Sequence, residues 1–308
     1  MPIGFEHLKM VVPHTKKSVF DIADCIGEPA ATSTLLRRNG LSSIPVAVGW
    51  TTADIIGAAV EQVLQEATSL RERIGLVMLV HSLPVPAPHG IDLVAICLDP
   101  HGLANVPAVV VSGQPCAILH QAVALANDWL STTDDGVVLV VGADVANNDQ
   151  ERIFFGSAMG DAAIAGLLMA NASRNQLLGS LSDTKVHAWE GEYSSQEAVE
   201  RFRSANPSMI RAAIEGCVAA AGLGMTDVSL ICAHTPNRLI WDSVAALLRV
   251  PREMIYDDRV AATGHLNSND SFVHYLHAIE TGLLHPGDIA ILVNPGFGGT
   301  RGCTLLRC

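Results

Sequence analysis

Short apolar runs alternate with stretches of helical periodicity through the first half of this chain. Residues 74–81, 106–111 and 137–142 are rich in aliphatic and β-branched side chains, which is typical of strands buried in a parallel sheet. Residues 53–70 show apolar positions at helical spacing after a threonine that can cap a helix, and residues 117–130 are rich in Ala and Leu. The pattern predicts a regular alternation of strands and helices.

The second half of the chain repeats this alternation. Strands are predicted at residues 228–233, 289–294 and 303–306, and helices at residues 207–221, 237–248 and 268–283. Residues 173–200 are more polar, and we expect them to form a long excursion from the core. Two halves that each alternate strands with helices predict an α/β fold with layered sheets.

Composition narrows the range of partners. The 308 residues are 49% apolar and only 16% charged, so much of the chain must be buried, in part against another subunit. The net charge of −12 is spread without a basic block, which argues against binding to nucleic acid or to an anionic membrane surface. No apolar run is long enough to span a membrane, and the first residues lack the pattern of a signal peptide. We therefore expect a cytoplasmic protein.

The seven cysteines are widely spaced, with no Cys-x-x-Cys pair, which favours reduced thiols over a disulfide framework or a zinc site. No bound metal is predicted. Cys116 differs from the others because it follows the break Ser-Gly-Gln-Pro between a predicted strand and a predicted helix. Unpaired N–H groups and the helix dipole at such a turn favour a thiolate. Cys116 is therefore a candidate nucleophile; the alternative is a small buried core residue.

A candidate partner for this thiol lies in the second half of the chain. His234 directly follows the predicted strand at residues 228–233, much as Cys116 follows a strand in the first half. Strand ends contributed by two halves can meet in a crevice, where α/β proteins commonly build their sites. A hydrogen-bonded core histidine is the alternative interpretation of His234.

Four segments occur in a recognisable order. They are Cys116 at its strand-to-helix turn, Phe-Gly-Ser-Ala-Met-Gly-Asp-Ala-Ala at residues 155–163, His-Thr-Pro-Asn at residues 234–237, and Pro-Gly-Asp at residues 286–288 leading through a strand to Gly-Phe-Gly-Gly at residues 296–299. In this order they resemble the thiolase superfamily, and most closely its β-ketoacyl-acyl carrier protein synthase III branch. The resemblance implies a homodimer with a thiolase-like, five-layered α/β/α/β/α fold of two similar halves, residues 1–170 and 171–308.

The resemblance also implies roles for individual residues. Cys116 would accept an acyl group from a thioester of coenzyme A or of an acyl carrier protein, with no tightly bound cofactor. His234 would assist the thiolate, and the backbone N–H groups of Cys116 and Gly299 would form the oxyanion hole. Asn237 matches a family position that binds the pantetheine arm; its alternative role is to cap the helix that follows.

One segment departs from the family pattern. Condensing enzymes of this branch carry an Asn in a Gly-Asn-Thr-Ser-like segment, which together with the histidine stabilises an enolate. Residues 262–270 of this chain are Ala-Thr-Gly-His-Leu-Asn-Ser-Asn-Asp. An ungapped match places His265 in the Asn position, whereas a small shift places Asn267 there. The difference matters because an amide N–H only donates, whereas an imidazole donates, accepts and carries protons.

This departure changes the predicted chemistry. His265 suits the deprotonation of a hydroxyl or amine better than the stabilisation of an enolate, with Asp270 either orienting it or acting separately as a base. We predict an acyltransferase that loads Cys116 and passes the acyl group to a small-molecule acceptor in specialised or lipid-related biosynthesis, with His234 or His265 as the base. Two alternatives stay open: a decarboxylating synthase III that forms a carbon–carbon bond, and a non-catalytic partner subunit of a heteromeric synthase.

Overall fold

A computed structural model describes residues 2–84, 86–133, 135–184, 194–236 and 238–308. The strands are β1 (Ile3–Val11), β2 (Lys16–Ser18), β3 (Ser43–Pro45), β4 (Ile74–Val80), β5 (Ala108–Val111), β6 (Val137–Asp144), β7 (Ile153–Phe154), β8 (Ser157–Ala158), β9 (Ala162–Ala170), β10 (Gln176–Thr184), β11 (Leu230–Ala233), β12 (Ile255–Tyr256), β13 (Ile289–Pro295) and β14 (Thr300–Arg307). The helices are α1 (Val19–Cys25), α2 (Ala30–Arg38), α3 (Thr52–Glu66), α4 (Leu93–Leu98), α5 (Ile118–Ser131), α6 (Gln196–Ala220), α7 (Leu239–Leu248), α8 (Val260–Thr263) and α9 (Asp270–Glu280). Within these described ranges, no helix is both long and apolar enough to cross a bilayer.

Helix α3 shows how the local sequence sets an element. The Thr51 hydroxyl accepts a hydrogen bond from the backbone N–H of Asp54, and the Asp54 carboxylate accepts one from the backbone N–H of Thr51. This capping box satisfies N–H groups that the first helical turn leaves unpaired. The face of α3 that carries Ile55 and Val63 is buried. The predicted helix is confirmed, although it ends at Glu66, somewhat before the predicted end.

The core strands form a ten-stranded mixed sheet among the described residues, in the order β12-β11-β13-β14-β10-β1-β9-β6-β4-β5. The five strands of each half of this sheet can be numbered in chain order, from β1 in the first half and from β10 in the second. From the outer edge of the sheet to its centre, both halves then have the order third, second, fourth, fifth, first. The pairing of Gly4 in β1 with Gln176 in β10 joins them. The chain thus uses one topology twice, and the division at residue 170 stays a prediction.

Helices form layers around the two halves of the sheet. Helix α5 contacts β4 and β6 on one side and β10 and β14 on the other, and α9 contacts β11, β13 and β1, so both helices lie between the halves. Helix α3 covers the outer face of the first half, and α6 with α7 covers that of the second. Because the apolar faces of both half-sheets are covered on both sides, separate hydrophobic clusters form in the centre and beneath each outer layer. The α/β/α/β/α order confirms the predicted fold.

The strand before Cys116 differs from its prediction. A buried strand is expected at residues 106–111, but β5 is shorter and lies at the end of the sheet, where Val109 is 44% and Val110 is 46% exposed. A run of β-branched residues indicates a strand, but it does not distinguish a central strand from an edge strand. The prediction of burial was therefore wrong.

The polar stretch at residues 173–200 is also not simply an excursion. Gln176–Thr184 form β10, which pairs antiparallel with β14, whereas residues 185–193 lie outside the described part of the chain. The helix predicted from residue 207 begins earlier, at Gln196, and contains Pro207 in its interior. Proline is usually confined to the first helical turn because it lacks an N–H, but the packing of α6 against β10 and β14 supports the longer helix.

Candidate active site

Cys116 lies at the turn between β5 and α5. It is buried, at 4% exposure, and its backbone is left-handed, with φ 61°. Such a conformation is strained for a non-glycine residue and persists only where its surroundings impose it. One constraint is the close approach of Gly296, where any side chain would overlap the carbonyl oxygen of Pro115. The turn thus presents the sulfur at the start of a buried helix.

His265 faces this sulfur. The Sγ atom of Cys116 lies 3.5 Å from Nε2 of His265, and Nδ1 of the same ring lies 2.7 Å from the Asp270 carboxylate. The backbone of His265 is fixed as well: its N–H donates to the carbonyl of Ala158, and its carbonyl accepts from the N–H of Gly160. The segment at residues 155–163 therefore holds the backbone of His265 in place through these two hydrogen bonds.

Asp270 is the anchor of this arrangement. It is fully buried at the start of α9, and its carboxylate accepts hydrogen bonds from the backbone N–H groups of Leu266 and Thr235, at 2.7 and 2.9 Å. Burial favours a raised pKa for Asp270, but the facing charge of His265 outweighs burial and lowers this pKa to about 2. For His265, burial favours a lowered pKa, but the charges of Asp270 and of the Cys116 sulfur raise it to about 10. Asp270 and His265 thus form a buried ion pair at neutral pH.

His234 is the neutral member of the group. It follows β11, and its ring meets that of His265 edge to face with centroids 4.5 Å apart. Burial and the charge of His265 lower the pKa of His234 well below its ordinary value. Its Nε2 is 3.8 Å from the Asp270 carboxylate, and among the described residues neither ring nitrogen has a hydrogen-bond partner. One imidazole is therefore held as a cation and its neighbour as a free base.

These groups line a cavity of about 530 Å³. Its apolar wall includes the phenyl rings of Phe154, Phe202 and Phe297, and the exposed residues Arg38 and Arg203 also line it. Two cationic side chains, three aromatic rings and the buried sulfur thus line the same cavity. The sulfur and both imidazoles share this one cavity, as the predicted mechanism requires.

The chain is similar in sequence and in fold to known proteins. Residues 218–308 match the family model of the 3-oxoacyl-[acyl-carrier-protein (ACP)] synthase III C terminal. A β-ketoacyl-[acyl-carrier-protein] synthase III of Geobacillus kaustophilus is 24% identical over 83% of both chains, and one of Aquifex aeolicus is 26% identical over 89% of both. The solved structure of an acyltransferase, ChlB3, has a TM-score of 0.86 and 22% identity, covering 100% of this chain and 98% of its own.

The chain thus resembles the β-ketoacyl-acyl carrier protein synthase III enzymes. The resemblance carried by the sequence motifs is thereby confirmed. The structural neighbour, at 22% identity, adds support for the fold alone.

The structure of this synthase III-like protein separates the two candidates for the Asn position. His265 lies beside the sulfur, whereas the Asn267 side chain donates to Sδ of Met159 at 2.8 Å. A direct catalytic role for Asn267 is therefore not supported. Gly299 is buried in the turn after β13, and its part in an oxyanion hole stays a prediction. Asn237 lies outside the described residues.

The side chains of Cys116, His234 and His265 are also of the types that bind metal ions. One ligand atom each from Cys116, His234 and His265 lies within 4.8 Å of the others, a donor set that suits zinc. A metal ligand must be deprotonated, however, and the pKa of about 10 keeps a proton on His265. The sequence-based expectation of no metal stays a prediction.

Sequence reasoning overlooked Asn294 at the end of β13. Its amide donates hydrogen bonds of 3.0 Å to the backbone carbonyls of Cys116 and Asn267, and the residue is fully buried. The available signal was a lone amide side chain that closes an otherwise apolar strand, Ile-Ala-Ile-Leu-Val-Asn. A buried amide needs partners, so such a position indicates a specific hydrogen-bonding task.

Proposed function

We propose that this protein is an acyltransferase that forms an acyl-cysteine at Cys116 and passes the acyl group to a hydroxyl or amine of a small molecule. One observation carries the proposal: a sulfur next to a cationic imidazole, with a neutral imidazole beside both. The cation stabilises a thiolate, which is the nucleophilic form of cysteine. The neutral ring is available to remove a proton from an acceptor.

In the first half-reaction the Cys116 thiolate attacks the carbonyl carbon of an acyl thioester. The carbonyl oxygen becomes an oxyanion, which the N–H groups of Cys116 and Gly299 are proposed to bind. The tetrahedral intermediate then collapses, so that a carbon–sulfur bond to Cys116 remains and the donor thiol leaves as its thiolate. The charge of His265 lowers the energy of the attacking thiolate, and Asp270 keeps that charge in place.

In the second half-reaction His234 takes the proton of the acceptor hydroxyl or amine. The freed oxygen or nitrogen attacks the acyl-cysteine, and the carbon–sulfur bond breaks to give an ester or an amide. Cys116 leaves as a thiolate beside the His265 cation, and His234 releases its proton to solvent. His265 is a poor base for this step because Asp270 keeps it protonated.

The donor is proposed to be a thioester of coenzyme A or of an acyl carrier protein. The names of the related synthases include an acyl carrier protein, which supports the second source. The cavity supports either one, because a pantetheine arm can run along its aromatic wall while Arg38 and Arg203 attract the phosphate end. Asn237 is proposed to contact that arm, and no tightly bound cofactor is required.

A homodimer in the cytoplasm is also proposed. Strand β5 lies at the open end of the sheet and exposes Val109 and Val110. An apolar edge strand is a ready surface for pairing with a second copy. The net charge of −12 and the absence of a predicted membrane span among the described helices are compatible with this environment.

Decarboxylative condensation is the second candidate, favoured by the synthase III names of the relatives. The two functions are distinguished by incubating the protein with an acyl thioester and either labelled malonyl thioester or a panel of alcohols and amines. Ester or amide formation without carbon dioxide release supports acyl transfer. Carbon dioxide release with a β-keto product overturns it. A non-catalytic subunit would show no acyl adduct by intact-mass spectrometry with any thioester in the panel.

A further inference from the structure

Two residues beside the reacting groups have left-handed backbones. Cys116 has φ 61° and Asn267 has φ 54°, and neither is a glycine. The first conformation aims the nucleophile, and the second shapes the loop that leads from His265 to Asp270. Because such conformations are disfavoured for residues with a Cβ, contacts with the surrounding protein must maintain both.

Asn294 contacts both of these residues at the backbone. Its Nδ2 donates to the carbonyl oxygens of Cys116 and Asn267, each at 3.0 Å. A side-chain amide has two N–H hydrogens, so each carbonyl receives one of them. Both donors of a fully buried group are thus used to hold the two turns.

The strand that carries Asn294 is itself rigidly held. β13 lies between β11 and β14, and Asn294 pairs in register with Gly302 of β14. Cys116 belongs to the first half of the chain and Asn267 to the second. Asn294 therefore ties two turns from different halves to one central strand, next to the 3.5 Å contact between Cys116 and His265.

We propose that Asn294 is a positioning residue that keeps the Cys116 sulfur and the His265 imidazole in contact. This inference rests on the proposed function, because it assumes that their contact activates the thiol. Without the amide, the Cys116 peptide can relax toward an ordinary backbone conformation and carry the sulfur away from His265. The thiol then behaves as an isolated cysteine.

The test is the pH dependence of alkylation at Cys116. Wild type, Asn294→Leu and Asn294→Ser are treated with iodoacetamide from about pH 6 to pH 9, and modification of the Cys116 peptide is measured by mass spectrometry. An isolated thiol has a pKa of about 8.5, so it loses roughly 10²-fold in rate two pH units lower. We expect a nearly flat profile for wild type and an isolated-thiol profile for both Asn294→Leu and Asn294→Ser, because the serine hydroxyl lies near the position of Cγ in Asn294 and is too short to reach either carbonyl.

Asn175→Leu is the matched control. Asn175 is also buried, and its Nδ2 donates to the carbonyl of Phe5 at 2.9 Å, away from the site. It should lose stability and keep the flat profile. Flat profiles for wild type and for both Asn294 variants overturn the role of Asn294 and leave the proposed function intact. An isolated-thiol profile in wild type overturns the activating contact, and the inference fails with it.

Discussion

The turn that carries Cys116 and the turn that carries His265 have equivalent places in the two halves of the molecule. Cys116 lies between β5 and α5, and His265 lies between β12 and α9. β5 and β12 are the third strands of their halves, and α5 and α9 form the central layer. Each turn includes a left-handed, non-glycine residue. A repeated topology thus brings two turns to one buried place.

The two turns differ in what they contribute there. The first supplies a sulfur at a helix start, whereas the second supplies the buried pair of His265 and Asp270, whose pKa values are shifted in opposite directions. The repeated topology determines where the two turns meet, and the side chains on each turn determine its chemical role. The first turn carries the proposed nucleophile, and the second carries the charged pair that is proposed to activate it. Changes in the first turn should abolish the acyl-enzyme, and changes in the second should alter its rate and pH dependence.

The largest effect is expected from Cys116→Ala. Removing the nucleophile should leave no acyl adduct in intact-mass spectrometry and should lower turnover by at least roughly 10⁴-fold, because the acyl-cysteine can no longer form. Cys25→Ala, at an exposed thiol, is the control and should retain the adduct. An adduct of normal yield in Cys116→Ala would refute the assignment of the nucleophile.

Asp270→Asn should produce the next largest effect. It removes the counter-charge of His265, so the rate of acylation should fall roughly 10²- to 10⁴-fold and the free energy of unfolding by about 3 kcal/mol. Single-turnover acylation and denaturant unfolding measure the two losses. Asp242→Asn breaks an exposed ion pair with Arg252 and should change stability by less than about 1 kcal/mol. Equal effects from both substitutions would contradict a special role for Asp270.

His234→Gln should separate the two half-reactions. We expect acylation of Cys116 to change only a few-fold, whereas transfer of the acyl group to the acceptor slows by about 10²-fold because its base is gone. The isolated acyl-enzyme is mixed with acceptor, and its decay is followed by mass spectrometry. If acylation falls as far as transfer, His234 is not primarily the base for the acceptor.

The smallest effect is the pH dependence at the basic end. The pKa of His265 is raised from 6.5 to about 10, so the stability that its charge contributes is complete below about pH 6.5 and is lost as the pH rises through about 10. The rate of acylation should likewise decline above about pH 10. Measurement of both quantities against pH checks this, and His265→Gln should remove the decline. An unchanged decline in that variant would assign the titration to another group.

Much of the secondary structure was accessible from the sequence because periodicity reports local burial. The capped helix α3 and the apolar strands β4, β6 and β13 follow their predicted patterns closely. Strand β10 was not predicted from the sequence. Its side chains are half-buried on both faces, so apolar and polar residues do not alternate along it as they do in a strand with one buried face. The exposure of β5 was also hidden, because position within a sheet depends on pairing with distant strands.

The sequence by itself determined the family resemblance, the strand-to-helix turn at Cys116 and the candidates for the group opposite it. The order of short motifs and the types of residues they contain are sufficient for those conclusions. Only the tertiary structure decided that His265 rather than Asn267 faces the sulfur, that the pKa of His265 is raised while that of His234 is lowered, and that Asn294 donates to both turns. These properties depend on the distances between residues that are far apart in the chain and on their burial. The local sequence determines neither the distances nor the burial.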